Sequence, residues 1–405
     1  MALRLFNTLT RTKQEFTSSG NVSLYVCGIT PYDTTHLGHA RTYVVFDVLV
    51  RHLMHQRLRV DYVQNITDVD DSILRRARDL GEPYDVLGDR YTSRYFEDVA
   101  ALGLLPASVY PKATDAIGEM QEVIARLLDR GHAYIVDEDI YFEIGTWPHF
   151  GSLSMLDREQ MLEIESAQDG STVGDPRKRD PLDFLLWKSR SPGEPSWASP
   201  WGSGRPGWHL ECSTLAMKHL GRQIDIHGGG DDLVFPHHEC EIAQSEAVTG
   251  ANPFARFWVH VAMARLGGEK MSKSEGNMVF VNDLLERFSP DAFRIYLLGT
   301  HYREPLDYEE AGLHRATEFA LSLATAARLS TEEGGEPVPI EEYVRRFDDA
   351  LDNDLDTPAA LGVLGEIAAA ASNGFGAGHS IREARRAIRS FASRLGLQLE
   401  VGQSR

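Results

Sequence analysis

A histidine and a glutamate follow a proline with a spacing that suits metal binding. Pro236 can occupy the first turn of a helix, and His237 and Glu241 then stand at positions i and i+4 on one face. Cys27 and Cys212 lie far from this segment and from each other, so their spacing alone is weak evidence. Zinc accepts such a mixture of thiolate, imidazole and carboxylate, which makes these four residues a candidate zinc site.

Two other interpretations of the cysteines stay open. They could belong to a closed structural zinc site, or they could be buried side chains that bind no metal. A closed site usually takes ligands that are close in sequence, and this set lacks them. The pattern therefore favours an open site at which the metal also contacts a substrate thiol. Cys240 points away from the face of His237 and Glu241 and is expected to be packed in the core.

A second motif, His36-Leu37-Gly38-His39, follows the first predicted strand, at the sheet edge where open sheets bind ligands. His36 and His39 share one face of the first helical turn, beside its free N–H groups and the positive end of the helix dipole. Gly38 leaves room for a nucleoside to approach. The motif suits a triphosphate, although two close histidines also fit a metal pair or ordinary surface residues.

A lysine-containing loop strengthens the triphosphate interpretation. Lys270 and Lys273 belong to the sequence Lys-Met-Ser-Lys-Ser, with glycines on both sides. Their ammonium groups can move over a polyphosphate as charge develops during displacement at the α-phosphorus. We therefore assign His36, His39, Lys270 and Lys273 as candidate catalytic residues, and His36, Gly38, His39 and Lys273 as candidate ATP contacts.

Composition places the chain among ordinary globular proteins. Its 405 residues are 42% hydrophobic, and no apolar run is long enough to cross a bilayer. Three cysteines, an odd number, fit a reducing compartment, so a cytoplasmic location is expected. A net charge of −19 disfavours non-specific nucleic-acid binding but leaves room for a local basic stripe, for which the arginines of the last helix are candidates.

The hydrophobic pattern predicts an α/β domain that is split by an insertion. Val22–Gly28, a helix from about His36, and Arg59–Thr67 form a strand-helix-strand unit, half of a doubly wound parallel sheet. Residues from about 72 to 205 are predicted to form the insertion. The second half of the sheet is predicted to contain Gln223–His227 and Phe257–Ala264. After residue 300 the pattern changes to continuous helix periods. Helices are expected at Glu309–Leu329, Ile340–Ala371 and Ile381–Leu395.

The chain resembles a class I aminoacyl-tRNA synthetase and, within that class, the cysteinyl-tRNA synthetase family. The resemblance covers roughly residues 1 to 310, in order. Besides the two motifs above, it rests on these segments: Leu5–Thr10, Tyr25–Gly28, Asn65–Asp71, Lys178–Phe184, Gly207–Cys212 and Ile226–Gly230. It implies a split Rossmann catalytic domain over residues 1–300, with a connective insertion at about 72–205, followed by a helical bundle over 301–405.

The resemblance also implies roles for individual residues. The family's zinc ligands match Cys27, Cys212, His237 and Glu241, so one Zn²⁺ per chain is expected. The amino-acid pocket matches Thr67 and Trp208, and Asp232 lies in the same wall, where it could hold the substrate ammonium group. The implied reaction is activation of L-cysteine by ATP with Mg²⁺ and transfer to the 3′ end of tRNA(Cys). Relatives are usually monomeric.

A metal ion would explain how the site rejects serine. Cysteine and serine differ in one atom, so shape alone gives only a few kcal/mol of discrimination. Zinc binds the soft, readily deprotonated thiol and binds an alcohol poorly. No editing domain is then required.

Two features depart from the family pattern. The chain ends soon after its third predicted helix, so the anticodon-binding region is expected to be truncated or absent. The segment Cys27–Asp33 also resembles the mycothiol cysteine ligases, which pass activated cysteine to the amine of glucosaminyl-inositol. Glu241 and Lys178–Phe184 fit the synthetases better, and Met1 is not preceded by the N-terminal extension of those ligases. The sequence thus favours tRNA(Cys) as acceptor, with glucosaminyl-inositol as the alternative.

Overall fold

The computed structural model describes residues 2–168, 170–271, 278–330 and 335–399. The strands are β1 Arg4–Asn7, β2 Thr12–Glu15, β3 Asn21–Ile29, β4 Arg59–Ile66, β5 Ala133–Val136, β6 Asp139–Phe142, β7 Phe184–Ser189, β8 Gly204–Pro206, β9 Ile224–Gly230, β10 Ala255–Val261, β11 Ala264–Leu266, β12 Glu269–Lys270 and β13 Leu306–Asp307. The helices are α1 Leu37–His55, α2 Asp71–Leu80, α3 Tyr84–Ala101, α4 Ile117–Asp129, α5 Arg158–Ser166, α6 Trp208–Leu220, α7 Glu239–Thr249, α8 Val281–Leu285, α9 Pro290–Leu298, α10 Glu310–Arg328, α11 Glu341–Asp352, α12 Thr357–Gly376 and α13 Arg382–Arg394.

The central sheet is parallel and joins the two halves of the chain. Its strand order is β10-β9-β3-β4, so β3 from the first half pairs directly with β9 from the second. Apolar side chains on both faces of β3 are buried, as expected for a parallel strand covered by helices. Tyr25 lies opposite His227 in this pairing. The predicted α/β fold with a split parallel sheet is confirmed.

The segment between the two halves contains a separate antiparallel sheet. Its order is β5-β6-β7-β8, and α6 begins directly after β8. Gly207, at this junction, donates its N–H to the carbonyl of Leu186, and a β-carbon there would lie 2.0 Å from the Leu185 carbonyl oxygen. Only glycine therefore lets α6 start this close to β7, and this contact fixes where Trp208 enters the fold.

The helices after residue 300 share a hydrophobic core with α1. Leu37, Val44 and Val48 of α1 pack into the same buried cluster as apolar residues of α9 to α13. One predicted boundary is wrong: Ile340–Ala371 is two helices, α11 and α12, rather than one. Asp354 and Leu355, which lie between the two helices, both have positive φ, and Asp356 caps α12. No helix in the described ranges is long and apolar enough to cross a membrane.

A buried ion pair connects α1 to these helices, and its removal should destabilise the protein. Arg294 has no exposed side-chain surface; it pairs with Asp47 of α1 and also donates to the carbonyls of Leu395 and Leu102. Arg294→Met should lower the free energy of unfolding by about 3–5 kcal/mol, because it leaves the Asp47 carboxylate partly uncompensated in the interior. Thermal and urea unfolding would measure this loss.

Arg51 provides the matched control because it pairs with the same carboxylate. Its Nε lies 2.8 Å from Asp47 Oδ2, but its side chain is 17% exposed. Arg51→Met should therefore cost less than about 1 kcal/mol. Equal losses for the two variants would contradict the assignment of the larger stabilisation to burial.

Candidate active site and metal centre

Four side chains of the types that bind metals lie close together, and they come from β3, α6, α7 and the turn before α7. Cys27 comes from β3, Cys212 from α6, His237 from the turn before α7, and Glu241 from α7. One ligand atom from each lies within 4.8 Å of all the others, and all four residues are buried. His237 Nε2 is 3.1 Å from Glu241 Oε1, and Cys27 Sγ is 3.6 Å from the same oxygen. The sequence-predicted zinc ligands are thus brought together.

The local backbone differs from the simple helix expected from Pro236. Residues 234–238 form a wide turn in which Phe235 has extended φ and ψ, and α7 begins only at Glu239. His237 still faces Glu241 of α7, since its Nε2 lies 3.1 Å from Glu241 Oε1. The indole ring of Trp208 lies against the His237 ring, with centroids 4.3 Å apart. The turn and α6 therefore hold the imidazole between them.

The charges of the site are set by burial and by the neighbouring ligands. Burial favours a protonated Glu241, but the charges of His227 and His237 outweigh it and lower the pKa of Glu241 to about 2. Burial also opposes ionisation of Cys212, yet the Cys27 thiol and His237 bring its pKa down to about 6. Burial, with the hydrogen bond to Cys212, keeps the pKa of Cys27 well above its usual value. This cluster holds negative charge that a divalent cation would neutralise.

Close backbone packing places Cys27 at the end of its strand. A β-carbon on Gly28 would lie 1.6 Å from the Asn65 carbonyl oxygen, so only glycine fits between β3 and β4. The Asn65 side chain accepts from the Gly28 N–H and donates to the hydroxyl of Thr67. Thr67 is 3% exposed and does not line the cavity that contains Cys27, Trp208 and His36. Its observed position supports the wall behind Cys27 rather than the cavity surface.

One cavity of about 510 Å³ extends from Cys27, the one cluster residue that lines it, to the His36–His39 motif. Cys27 and Trp208 line one part of it, and His36, Gly38 and His39 line another. Asp232, an exposed residue just after β9, lies in the wall between these parts. The cavity wall therefore contains a cysteine thiol, a carboxylate and a helix N-terminus, and helix N-termini favour anionic ligands.

His36 has a structural role that the sequence analysis did not anticipate. It is the N-cap of α1, and its Nδ1 accepts hydrogen bonds from the N–H groups of Gly38 and His39. Because Nδ1 is an acceptor, neutral His36 carries its proton on Nε2. The rings of His36 and His39 stack with centroids 3.7 Å apart. The two imidazoles thus form one unit at the helix N-terminus.

The segment after the lysine loop is attached to this helix N-terminus. Leu37 donates its N–H to the Val279 carbonyl, and Val281 donates to the Thr35 carbonyl. Lys273 and the side chain of Lys270 lie outside the described residues. The backbone contacts place residues 279 and 281 beside the N-terminus of α1.

Comparison with known proteins identifies the family to which the sequence is similar. The family model for the catalytic domain of class I (C) tRNA synthetases matches residues 13–318. The cysteine–tRNA ligase of Synechococcus elongatus is 47% identical over 383 residues, covering 91% of this chain and 79% of the relative. That of Legionella pneumophila strain Paris is 48% identical over 370 residues, covering 90% of this chain and 80% of the relative. This chain belongs to the cysteine–tRNA ligase family. A Geobacter metallireducens cysteine–tRNA ligase, 43% identical, aligns with 98% of this chain and 85% of its own length.

Solved structures of other class I enzymes share the fold of this cysteine–tRNA ligase family member. Mycobacterium tuberculosis methionyl-tRNA synthetase superposes with a TM-score of 0.66 at 16% identity, covering 93% of this chain and 88% of that one. A leucyl-tRNA synthetase from Agrobacterium radiobacter K84 also gives 0.66, at 10% identity, covering 95% and 85%. The predicted family and its ligase class are confirmed, and the relatives do not favour the cysteine:amine ligase alternative.

Proposed function

We propose that this chain activates L-cysteine with ATP and Mg²⁺ and transfers the cysteinyl group to the 3′ end of tRNA(Cys). In the first step a carboxylate oxygen of cysteine attacks the α-phosphorus. The bond from that phosphorus to the bridging oxygen breaks, and pyrophosphate leaves. In the second step a terminal ribose hydroxyl of the tRNA attacks the acyl carbon and AMP leaves. The observation that carries the proposal is the cavity that is lined both by Cys27, a member of the ligand cluster, and by the His36–His39 motif at the helix N-terminus.

The donor set at the thiol-binding end fits zinc. Two thiols, an imidazole and a carboxylate lie within mutual bonding reach, and the cluster is negatively charged without a cation. Bound zinc would supply an acceptor for the substrate thiolate. Cys27, Cys212, His237 and Glu241 would hold the ion, and Cys27 lines the cavity in which the substrate side chain would lie. This assignment explains selection of cysteine over serine.

The other residues bind and orient the reactants. Trp208 closes the side-chain end of the pocket, Thr67 supports its wall, and Asp232 would pair with the substrate ammonium group. His36 and His39 would donate to the phosphates as negative charge builds on the departing pyrophosphate. Lys270 and Lys273 are proposed to supply further positive charge there. The proposed roles rest on the positions above and on the family motifs.

The proposed organisation keeps the predicted divisions, with catalytic residues 1–300, an insertion at about 72–205 and helices over 301–405. We place the enzyme in the cytoplasm, because its cysteines at 27, 212 and 240 are unpaired, which fits a reducing compartment. A monomeric state is proposed from the family resemblance alone.

The acceptor is tested by comparing two candidate acceptors in separate reactions. The full chain, ATP, Mg²⁺ and labelled cysteine are incubated with tRNA(Cys) or with glucosaminyl-inositol. We expect label on the tRNA 3′ end, released by mild base as an ester, and none on the amine. A stable amide product on glucosaminyl-inositol, with unlabelled tRNA, would contradict the proposed acceptor while leaving cysteine activation intact.

A further inference from the structure

A second set of metal-binding side chains overlaps the first. Cys27, His227, His238 and Glu241 each offer a ligand atom, and these atoms also lie within 4.8 Å of one another. All four residues are buried. Two residues, Cys27 and Glu241, belong to both sets, whereas His227 and His238 belong only to the second. In the described part of the chain, two four-ligand positions therefore exist side by side.

The glutamate is oriented to serve both positions at once. Its Oε1 is 3.1 Å from His237 Nε2, on the side of the first set, and its Oε2 is 2.9 Å from His227 Nε2, on the side of the second. A carboxylate that presents one oxygen to each of two cation positions has the geometry of a bridging ligand. A cysteine thiolate can bridge in the same way, and Cys27 Sγ lies 3.3 Å from His238 Nε2.

One distance in the second set already matches a tetrahedral zinc site, while the contacts of Glu241 with His227 at 2.9 Å and with His238 at 3.9 Å lie on either side of the expected range. With metal bonds of about 2.0–2.3 Å, neighbouring ligand atoms around zinc lie roughly 3.3–3.8 Å apart. The Cys27–His238 contact is 3.3 Å, and His238 Nε2 lies 3.9 Å from Glu241 Oε1. Small side-chain adjustments would therefore open the set around an ion.

The hydrogen bonds behind His238 leave its inner nitrogen available. His238 Nδ1 is 2.7 Å from His260 Nε2, and His260 Nδ1 is 2.7 Å from the Thr8 hydroxyl. When His238 donates from Nδ1 and His260 donates to Thr8, His238 Nε2 keeps its lone pair toward Cys27. A metal-binding imidazole is held by this type of outer hydrogen bond.

The charge of the cluster also accommodates another cation. Once a first divalent ion has displaced the proton of Cys27 as well as that of Cys212, two thiolates and one carboxylate carry three negative charges, and the ion leaves the buried group at about −1 when the imidazoles are neutral. A second divalent ion would therefore enter a site of opposite net charge. It would bind more weakly than the first, because the second set has one thiol where the first has two, and because it shares its anionic ligands with an ion already present.

We propose that this chain binds a second zinc ion, held by His227 and His238 and bridged to the first through Cys27 and Glu241, at raised zinc concentration. The proposal rests on the first metal position assigned under the proposed function. The two ions would lie about 3.5–4 Å apart, the usual spacing in paired metal sites. His227 and His238 would act as metal ligands rather than only as packing for the first site.

Metal content of the full chain tests the proposal. Metal-free protein is dialysed against increasing Zn²⁺, and zinc per chain is measured by elemental analysis, with X-ray absorption spectra of the loaded samples. We expect about one ion per chain and then about two, with a zinc–zinc vector appearing only at the higher loading. Wild-type protein that saturates at one ion, or that takes a second without this vector, would overturn the proposal.

Variants locate the second ion. His227→Gln and His238→Gln should stop at one ion per chain, while His132→Gln, a histidine of the insertion bonded to Thr146, should reach two like the wild type. A second ion in both Gln variants would place it elsewhere and overturn the assignment. If a variant fails to fold by circular dichroism, the wild-type stoichiometry and vector decide. Protein that binds no zinc would refute both metal positions, whereas saturation at one ion with intact cysteine activation would refute only the second.

Discussion

Replacing Cys212 with serine is expected to strip the metal from the protein and abolish efficient cysteine activation. Cys212 is 1% exposed, and its pKa of about 6 makes it a thiolate at neutral pH. A serine hydroxyl stays protonated and hard, so it replaces neither the charge nor the softness of the ligand. Bound zinc should fall from about one ion per chain to near zero at micromolar metal. Pyrophosphate exchange with cysteine should fall more than about 100-fold.

Cys240 is the matched control for this prediction. It is also buried, at 1% exposure, but belongs to neither set of metal-binding residues in the described chain. Cys240→Ser should keep its zinc and its exchange rate within about threefold of wild type, with about 1–3 kcal/mol lost in stability from the buried hydroxyl. Retention of zinc by Cys212→Ser, or equal loss in both variants, would refute the ligand assignment.

The second large effect is expected at His36, where catalysis and helix capping can be separated. Asparagine is a good N-cap and can replace the Nδ1 acceptor, but it cannot present the Nε2 donor. His36→Asn should therefore melt close to wild type while pyrophosphate exchange falls about 100- to 1,000-fold. His36→Ala should lose the same activity and, in addition, about 1 kcal/mol of stability.

Melting curves and exchange rates of the two variants distinguish these roles. If His36→Asn kept full activity, the histidine would be only a cap for α1. If both variants kept zinc, as expected, the losses would belong to the phosphate end of the cavity. Loss of zinc in either variant would show that the two ends are not separate.

Patterns within single elements could be predicted from the sequence. The apolar run of β3 and its loop to α1 gave the strand and helix to within a few residues, since burial on both faces leaves a continuous hydrophobic signature. The break between α11 and α12 was missed because the pattern of apolar residues continues through it. The signal lay in Asp356 and Pro358, an N-cap and a proline at the start of a helix.

Contacts that depend on strand pairing could not be predicted. The pairing of β3 with β9 sets Tyr25 opposite His227, and alternation along β3 then brings Cys27 to the same face. The sequence shows His227 only as a residue before three glycines, with no sign that it meets Glu241. Asn65, which braces Gly28 and Thr67, was likewise visible only as part of a family motif. Tertiary register, rather than local propensity, determines these contacts.

Selectivity for a thiol is tested most directly by pyrophosphate exchange with cysteine and with serine, measured on the zinc-loaded chain. Shape alone can favour cysteine by at most about 200-fold. We expect a ratio of kcat/KM above about 10,000, which falls steeply when a chelator removes the metal. A ratio below about 200 that chelation leaves unchanged would contradict recognition of the substrate sulfur by a metal held at Cys27, Cys212, His237 and Glu241.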